Sequence, residues 1–398
     1  MSEMKKRSFQ VLESSEEEIQ ESRKRRRRGI LRVILPLLLL AILGAGAWLT
    51  FTKYKTYSDY EVKSEQATEG VSESEFYDFD GKLLKVSKNG AILTNIDGSL
   101  IWNQSYEINS PMVDICEEYV AIGSRKGREV YVLDTKGLAG RIETAGELRA
   151  VEVAKQGTIA VLTQRKDSYY VNMYEPGGTK LVQGEMHIEN SGYPIAMSLS
   201  EDALKLGISL VNVNNGQADT TVNFYNFGAV GQNEIDNLVK SYTYENQLIP
   251  RIVFFDESHA VAVAERKIYF YKGNQKPEET RVVRIPKDIR SLIFSDQYMG
   301  LTYNEETEKQ MTHNLMIYDC RGKQIMEKQY QQDYTTIRIM GDNEVLLLQG
   351  EHARIYTMDG TVKFKGDFEE PVLKMTQGQK GKEYYLIYEN KMQKIQLK

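Results

Sequence analysis

A short unit recurs along this chain: an apolar strand, then an acidic or amide residue, then a glycine within a few positions. It reads ILTNIDG at Ile92–Gly98, VYVLDTKG at Val130–Gly137, VNMYEPGG at Val171–Gly178 and VNFYNFG at Val222–Gly228. It continues as IYFYKG at Ile268–Gly273, LMIYDCRG at Leu315–Gly322 and IYTMDG at Ile355–Gly360, and the chain ends on a matching strand, Lys394–Lys398. With Asp97, Asp134, Glu175, Asn226, Lys272, Asp319, Asp359 and Lys398 as markers, the spacings are 37, 41, 51, 46, 47, 40 and 39 residues, a mean of 43. A period of about 40–45 residues is that of a four-stranded propeller blade.

Each marker is preceded by a second apolar strand, such as Tyr119–Gly123, Thr158–Thr163, Ala260–Ala264 or Val345–Gln349. Earlier still comes a third, such as Leu148–Val153, Pro250–Phe255 or Ile289–Phe294. These are strands B and A of a blade, the recurring unit is strand C, and strand D follows the glycine turn. One small sheet cannot bury both faces, whereas sheets stacked around an axis bury each face against a neighbour. The last repeat, from Pro371, has no D strand before the chain stops, and Tyr57–Ser64 is placed to supply it and join the ends. Eight markers over residues 57–398 favour an all-β, eight-bladed β-propeller, with seven blades as the alternative. The 41% apolar content permits a core of this size, and two cysteines exclude a disulfide framework.

The region before the repeats is different in kind. Residues 1–32 carry a balance of +4, concentrated in the run Arg23, Lys24, Arg25, Arg26, Arg27 and Arg28, so the remainder holds −9 against a total of −5. Val33–Phe51 then contains no ionisable side chain. A helix of that length spans about 28 Å, close to the ~30 Å hydrocarbon core of a bilayer. Basic residues ahead of it place the N-terminus in the cytoplasm and the remainder outside. The expected organisation is a basic tail (1–28), one N-terminal transmembrane helix acting as a signal anchor (29–51), a linker (52–56) and an extracytoplasmic propeller (57–398). Ala45-Gly46-Ala47 also resembles a cleavage site, but the segment is long for a signal peptide. Attraction of the basic flank to anionic lipid accounts for the arginine run without nucleic acid.

Several stretches resemble a known family. They are Asp97-Gly98-Ser99-Leu100-Ile101-Trp102-Asn103, Ser191-Gly192-Tyr193-Pro194 with Leu199-Ser200-Glu201-Asp202, and Asn223–Gly228 with Gly231-Gln232-Asn233. The chain resembles bacterial single-span membrane proteins with an extracytoplasmic β-propeller, grouped as domain of unknown function 5711. Where that family usually reads Ser-Pro-Asp-Gly, this chain has Ser200, Glu201, Asp202 and Ala203, so a different turn is expected there. The resemblance implies a fold and a location in the cell envelope; it implies no activity.

Chemistry-bearing motifs are sparse. His187, His259, His313 and His352 fall in different repeats, and the sequence has no HExxH, GxSxG, Walker loop or CxxC. No catalytic residue, metal ligand or cofactor is therefore assigned. Cys116 and Cys320 fall in repeats two and six, opposite each other in an eight-membered ring, and are expected as buried thiols. Asp78-Phe79-Asp80-Gly81 reads as a turn between the first two strands of blade 1. Tyr131, Tyr174, Tyr225, Tyr269, Tyr318 and Tyr356 recur in the same strand of successive repeats, which suits packing between blades. The fourth repeat is the longest; one of its segments Val211–Thr220 and Gly231–Tyr242 is expected to pack over the propeller face or its side.

The sequence points to a binding or scaffold module of the envelope, with an envelope protein or an anionic polymer as partner. An envelope enzyme is the alternative, because Trp102 after Asp97-Gly98 resembles an element of quinone-cofactor propellers; only one repeat has it. The candidate binding residues are Arg149, Arg251 and Arg290, each opening an Arg-x-apolar-x-apolar A strand, with Arg338 and Lys374 in the A strands of the last two repeats. If these strands begin at one mouth of the channel, the five cations converge there and suit carboxylate or phosphate oxygens.

Overall fold

The computed structural model describes residues 43, 44, 46, 54–68, 73–187, 191–214, 216–306, 311–341, 344–378 and 380–398. Most of the expected anchor (29–51) and all of the expected tail (1–28) lie outside them. Among the described residues, no helix is long and apolar enough to cross a membrane. Thr56–Lys398 forms one compact unit.

That unit is eight four-stranded antiparallel sheets, so the ring has eight blades rather than seven. The A strands, in blade order, are Ser74–Phe79, Pro111–Cys116, Glu147–Val153, Tyr193–Leu199, Arg251–Phe254, Ile289–Phe294, Thr336–Met340 and Lys374–Gln377. A strands of several neighbouring blades lie against one another, which places them at the axis. In blades 1 to 7 the chain runs A-B-C-D outward. In blade 8 it supplies A, B and C, and the outer strand is Tyr60–Ala67 from the start of the propeller. That closing strand pairs antiparallel with Lys391–Leu397, from Tyr60 opposite Leu397 to Ala67 opposite Lys391. It overlaps the span Tyr57–Ser64 expected from the sequence but lies three residues further toward the C-terminus. Tyr57 itself bridges to blade 7: its N–H donates to the Lys363 carbonyl at 2.8 Å.

Alternation explains the core. B strands such as Ile159–Arg165 and His259–Val263 are buried almost throughout, as expected for strands covered on both faces, whereas D strands are mostly exposed. The recurring tyrosines stand in C strands and pack between blades. Tyr174 joins the blade 2–3 core, Tyr269 the blade 4–5 core, Tyr318 the blade 5–6 core and Tyr356 the blade 6–7 core. In blades 1 to 7 the register of strand C against strand D shifts near the end of strand C, next to Tyr174, Tyr225, Tyr271, Tyr318 and Tyr356 in five of them. A bulge there adds local twist, which a radial stack of sheets requires.

The long fourth repeat is spent on extension. Its B and C strands each run ten residues and pair out to Asn214 opposite Gln217, so most of Val211–Thr220 is strand and not loop. Alternation of Val211 and Val213 with polar neighbours continues the period of two and carries the ladder outward. Gly231–Asn237 forms two 3₁₀ turns before strand D, and Glu234 meets Lys276 at 2.6 Å, so this segment packs against the C–D turn of blade 5. The Ser200–Ala203 stretch is a closed turn: Ala203 N–H donates to the Ser200 carbonyl at 2.8 Å, and Ala203 takes a positive φ of 56° where the family has glycine. The turn keeps a left-handed fourth residue in spite of the alanine.

Candidate functional site

The structure brings Arg338 and Lys374 together and leaves the other three expected cations in separate settings. Arg338 reaches from blade 7 across blade 8: its guanidinium donates to the Met375 carbonyl and lies 3.7 Å from Asp78 of blade 1. Lys374, in blade 8 and 7% exposed, donates to the Phe76 carbonyl at 2.6 Å and sits 3.5 Å from the same Asp78 carboxylate. Thr376 also donates to Asp78, at 2.6 Å. Two cations thus share one anion where the first and last blades meet. Burial, and then the neighbouring Arg338, push the Lys374 ammonium down to about 7, Asp78 opposing the shift. Burial works against ionisation of Asp78, yet Lys374 and Arg338 hold its carboxyl below the ordinary range. The Arg338 Nε is buried with no hydrogen-bond partner.

Beside this cluster opens a cleft of about 490 Å³, walled by Glu75, Phe76 and Tyr77 of blade 1, Arg338 and Leu348 of blade 7, and Lys374 of blade 8. A second hollow of about 260 Å³ is lined by Asp78, Thr376 and Gly341 among others. The Asp78–Lys374–Arg338 group therefore borders both spaces.

Among the described residues, the remaining three cations make their contacts elsewhere. Arg149 lies 3.3 Å from Glu147 of its own strand. Arg290 donates to Asp333 at 2.7 Å, approaches His313 Nδ1 at 3.3 Å and stacks 4.5 Å above the Tyr334 ring. Arg251 lies over the Phe294 ring of the next blade at 5.6 Å. The shared Arg-x-apolar-x-apolar pattern does not give a shared register. Arg149 and Arg290 are the extra residues of β-bulges, between Leu148 and Ala150 and between Ile289 and Ser291, whereas Arg251 pairs regularly with Val263. An extra residue resets alternation, so equal spacing in sequence no longer means one face.

Three polar side chains that the sequence did not single out fasten the A strands to one another. Val153 N–H of blade 3 donates to Asp114 of blade 2 at 2.7 Å. Glu152 of blade 3 accepts from the backbone of Leu199 and the hydroxyl of Ser198, both in blade 4. The Ser198 oxygen in turn accepts from Phe254 N–H of blade 5 at 3.0 Å. Blades 2, 3 and 4 thus each engage a backbone donor of the next blade. Burial raises both carboxyls, Asp114 to about 6 and Glu152 well above its ordinary value, and Arg251 offsets part of the shift. Such groups were hidden because each sits alone among apolar residues in an ordinary strand.

Trp102 has a packing role: it is buried in the core between blades 1 and 2, and its Nε1 donates to the Asp134 carbonyl at 3.1 Å. Both cysteines are free thiols, and both are half-buried where the sequence suggested full burial. Cys116 ends the A strand of blade 2, and Cys320 lies in the turn after the C strand of blade 6.

The matching family extends over residues 53–397 and is described as a family of unknown function, DUF5711. The chain belongs to the DUF5711 family. No curated protein matches it. Among solved structures it is similar to Sqt1 of Saccharomyces cerevisiae, with a TM-score of 0.53 at 11% identity over 85% of this chain and 99% of that one. BamB of Moraxella catarrhalis follows at a TM-score of 0.47 and 12% identity, over 85% of this chain and 100% of that one. The WD40 domain of Neurospora crassa Pan2 gives 0.43 and 11%, over 72% and 88%. At such identities the likeness to Sqt1 concerns the fold alone. The DUF5711 chain carries its own polar groups into its channel.

Proposed function

We propose that this DUF5711 protein is a membrane-tethered binding module of the cell envelope, with its propeller outside the membrane and its blade 7–8–1 cleft receiving an anionic group of a partner. The observation that carries this reading is the convergence of Arg338 and Lys374 on the single carboxylate of Asp78. Arg338 and Lys374 share one anion, Asp78, and the Glu75 carboxylate that also lines the cleft is engaged by the Tyr77 hydroxyl; a carboxylate or phosphate that reaches the two cations is screened less there than in water. The guanidinium offers a planar fork to such oxygens, and its buried Nε lacks an acceptor. Tethering rests on the sequence: the uncharged stretch Val33–Phe51 behind six consecutive basic residues.

The test is calorimetric titration of the full-length protein with pyrophosphate and, separately, with a short polyglutamate. Saturable one-to-one binding that weakens with salt is expected for at least one probe. Arg338→Ala or Lys374→Met lowers its affinity at least about tenfold, the worth of one charge-assisted hydrogen bond. Asp78→Asn tightens it. Only the protonated ammonium attracts an anion, so affinity falls as pH rises through about 7. Arg266→Ala, which removes an exposed cation from the B–C turn of blade 5, leaves binding unchanged. Equal affinity in wild type, Arg338→Ala and Lys374→Met refutes the assignment of the cleft.

A further inference from the structure

The A–B turns of the blades converge on one mouth of the channel, and that mouth is acidic. Glu117, Glu201, Asp256 and Asp296 come from the turns of blades 2, 4, 5 and 6 and act electrostatically on one another. Lys155, from the turn of blade 3, is held by Glu257. A cation approaching this end meets a field of its preferred sign.

Within this rim lies a donor set assembled from two blades. Asp256 and His259 belong to the A–B turn of blade 5 and the start of its B strand, and Cys320 to the C–D turn of blade 6. One carboxylate oxygen of Asp256, one ring nitrogen of His259 and the Cys320 sulfur all lie within 4.8 Å of one another. Asp256 is fully committed as a support. Its Oδ1 accepts from the backbone N–H groups of Ser258 at 2.6 Å and His259 at 2.7 Å, and its Oδ2 faces His259 Nδ1 at 2.8 Å. That contact puts the ring proton on Nδ1 and leaves Nε2 with a lone pair. His259 is 8% exposed, and its Nε2 is buried with no hydrogen-bond partner. An orphaned imidazole nitrogen in a dry setting is costly unless something occupies it.

We propose that His259 Nε2 and Cys320 Sγ bind a thiophilic divalent cation of the zinc class, with Asp256 as the carboxylate that orients the imidazole. Sulfur with imidazole is a donor pair suited to zinc, and carboxylate–histidine–metal relays fix the tautomer in the way seen here. Binding displaces the Cys320 thiol proton to solvent, while the Nδ1 proton stays between His259 and Asp256; no redox change is involved. Two protein donors leave coordination positions for water or an incoming ligand.

Cobalt(II) is the probe, because thiolate ligation gives it a charge-transfer absorption that oxygen or nitrogen ligation does not. The untagged full-length protein, stripped of metal, is titrated with cobalt(II) and then with zinc(II). One equivalent binds with the thiolate band, and zinc abolishes the band. Cys320→Ser removes the band while leaving the unfolding midpoint of the metal-free protein within a degree or two. Cys116→Ser, in blade 2, retains it. Asp256→Asn keeps the band but weakens affinity about 10–100-fold, as expected of a positioning residue. The proposal is overturned if no band forms, if it survives Cys320→Ser, or if it is lost with Cys116→Ser. His259→Gln tests the nitrogen in the same titration: weakened binding is expected, and undiminished affinity in a folded variant overturns its role.

Discussion

Asp202→Ala is expected to destabilise the protein by about 3–5 kcal/mol, because it strands a buried ammonium. Lys205 is 1% exposed, and its Nζ meets Asp202 Oδ2 at 2.9 Å. The other carboxylate oxygen accepts from Leu204 N–H at 3.1 Å and from the Ser200 hydroxyl, so the same side chain closes the turn. Removing it leaves the buried Lys205 ammonium without its counter-ion, on the face of its strand that Gly207 and Ser209 turn toward Ile252 and Ile249 of blade 5. Urea unfolding of the full-length protein measures the loss. The double variant Asp202→Asn with Lys205→Met should recover most of it, since an apolar side chain of similar length removes the charge itself. Burial opposes ionisation of Asp202, but its hydrogen bonds from Ser200 and Lys205 hold its carboxyl below the ordinary range. The folded state therefore binds this proton more weakly than the unfolded one. Its contribution is present above about pH 4 and is lost as pH falls further.

Deleting Tyr57–Thr68 is expected to abolish the cooperative fold, a loss on the order of the whole 5–15 kcal/mol that stabilises a typical domain. The segment supplies the outer strand of blade 8, and it also carries ties at both ends. Lys398 N–H donates to the Asp59 carbonyl at 3.0 Å, and Thr68 N–H to the Asn390 carbonyl at 2.9 Å. Tyr57 is 3% exposed within the blade 7–8 core, and Tyr60 meets the Phe368 ring at 5.3 Å. Without it, Lys391–Leu397 becomes an open edge, a template for pairing with another chain. Circular dichroism on heating and size-exclusion chromatography read the two consequences: a broad unfolding at lowered temperature, and association. A sharp transition near that of the intact protein contradicts the closure.

The period of the repeats, the blade count and the use of an N-terminal segment to close the ring were legible because each follows from alternation and turn residues. The C-strand tyrosines were legible for the same reason: they recur at one place in the repeat and fill one kind of space. The polar groups were not. Arg149, Arg251 and Arg290 share a sequence pattern, yet bulges at Arg149 and Arg290 reset which way the strand faces. Asp78 read as part of a turn, and Asp80-Gly81 is that turn, but the Asp78 carboxylate belongs to the channel. Its partners lie in blades 7 and 8, and only closure of the ring brings them near. Asp256, His259 and Cys320 are separated in the same manner: two lie within one turn, and the third arrives with the next blade.

Closure of the ring must carry Lys374 of the last blade to Asp78 of the first. A double-mutant cycle of Asp78→Asn and Lys374→Met, read by urea unfolding of the full-length protein, tests this directly. Groups in contact are coupled by about 0.5–3 kcal/mol, and that is the result expected here. Additivity within about 0.5 kcal/mol would mean that the two side chains do not meet and that the charged cluster between blades 7, 8 and 1 does not exist.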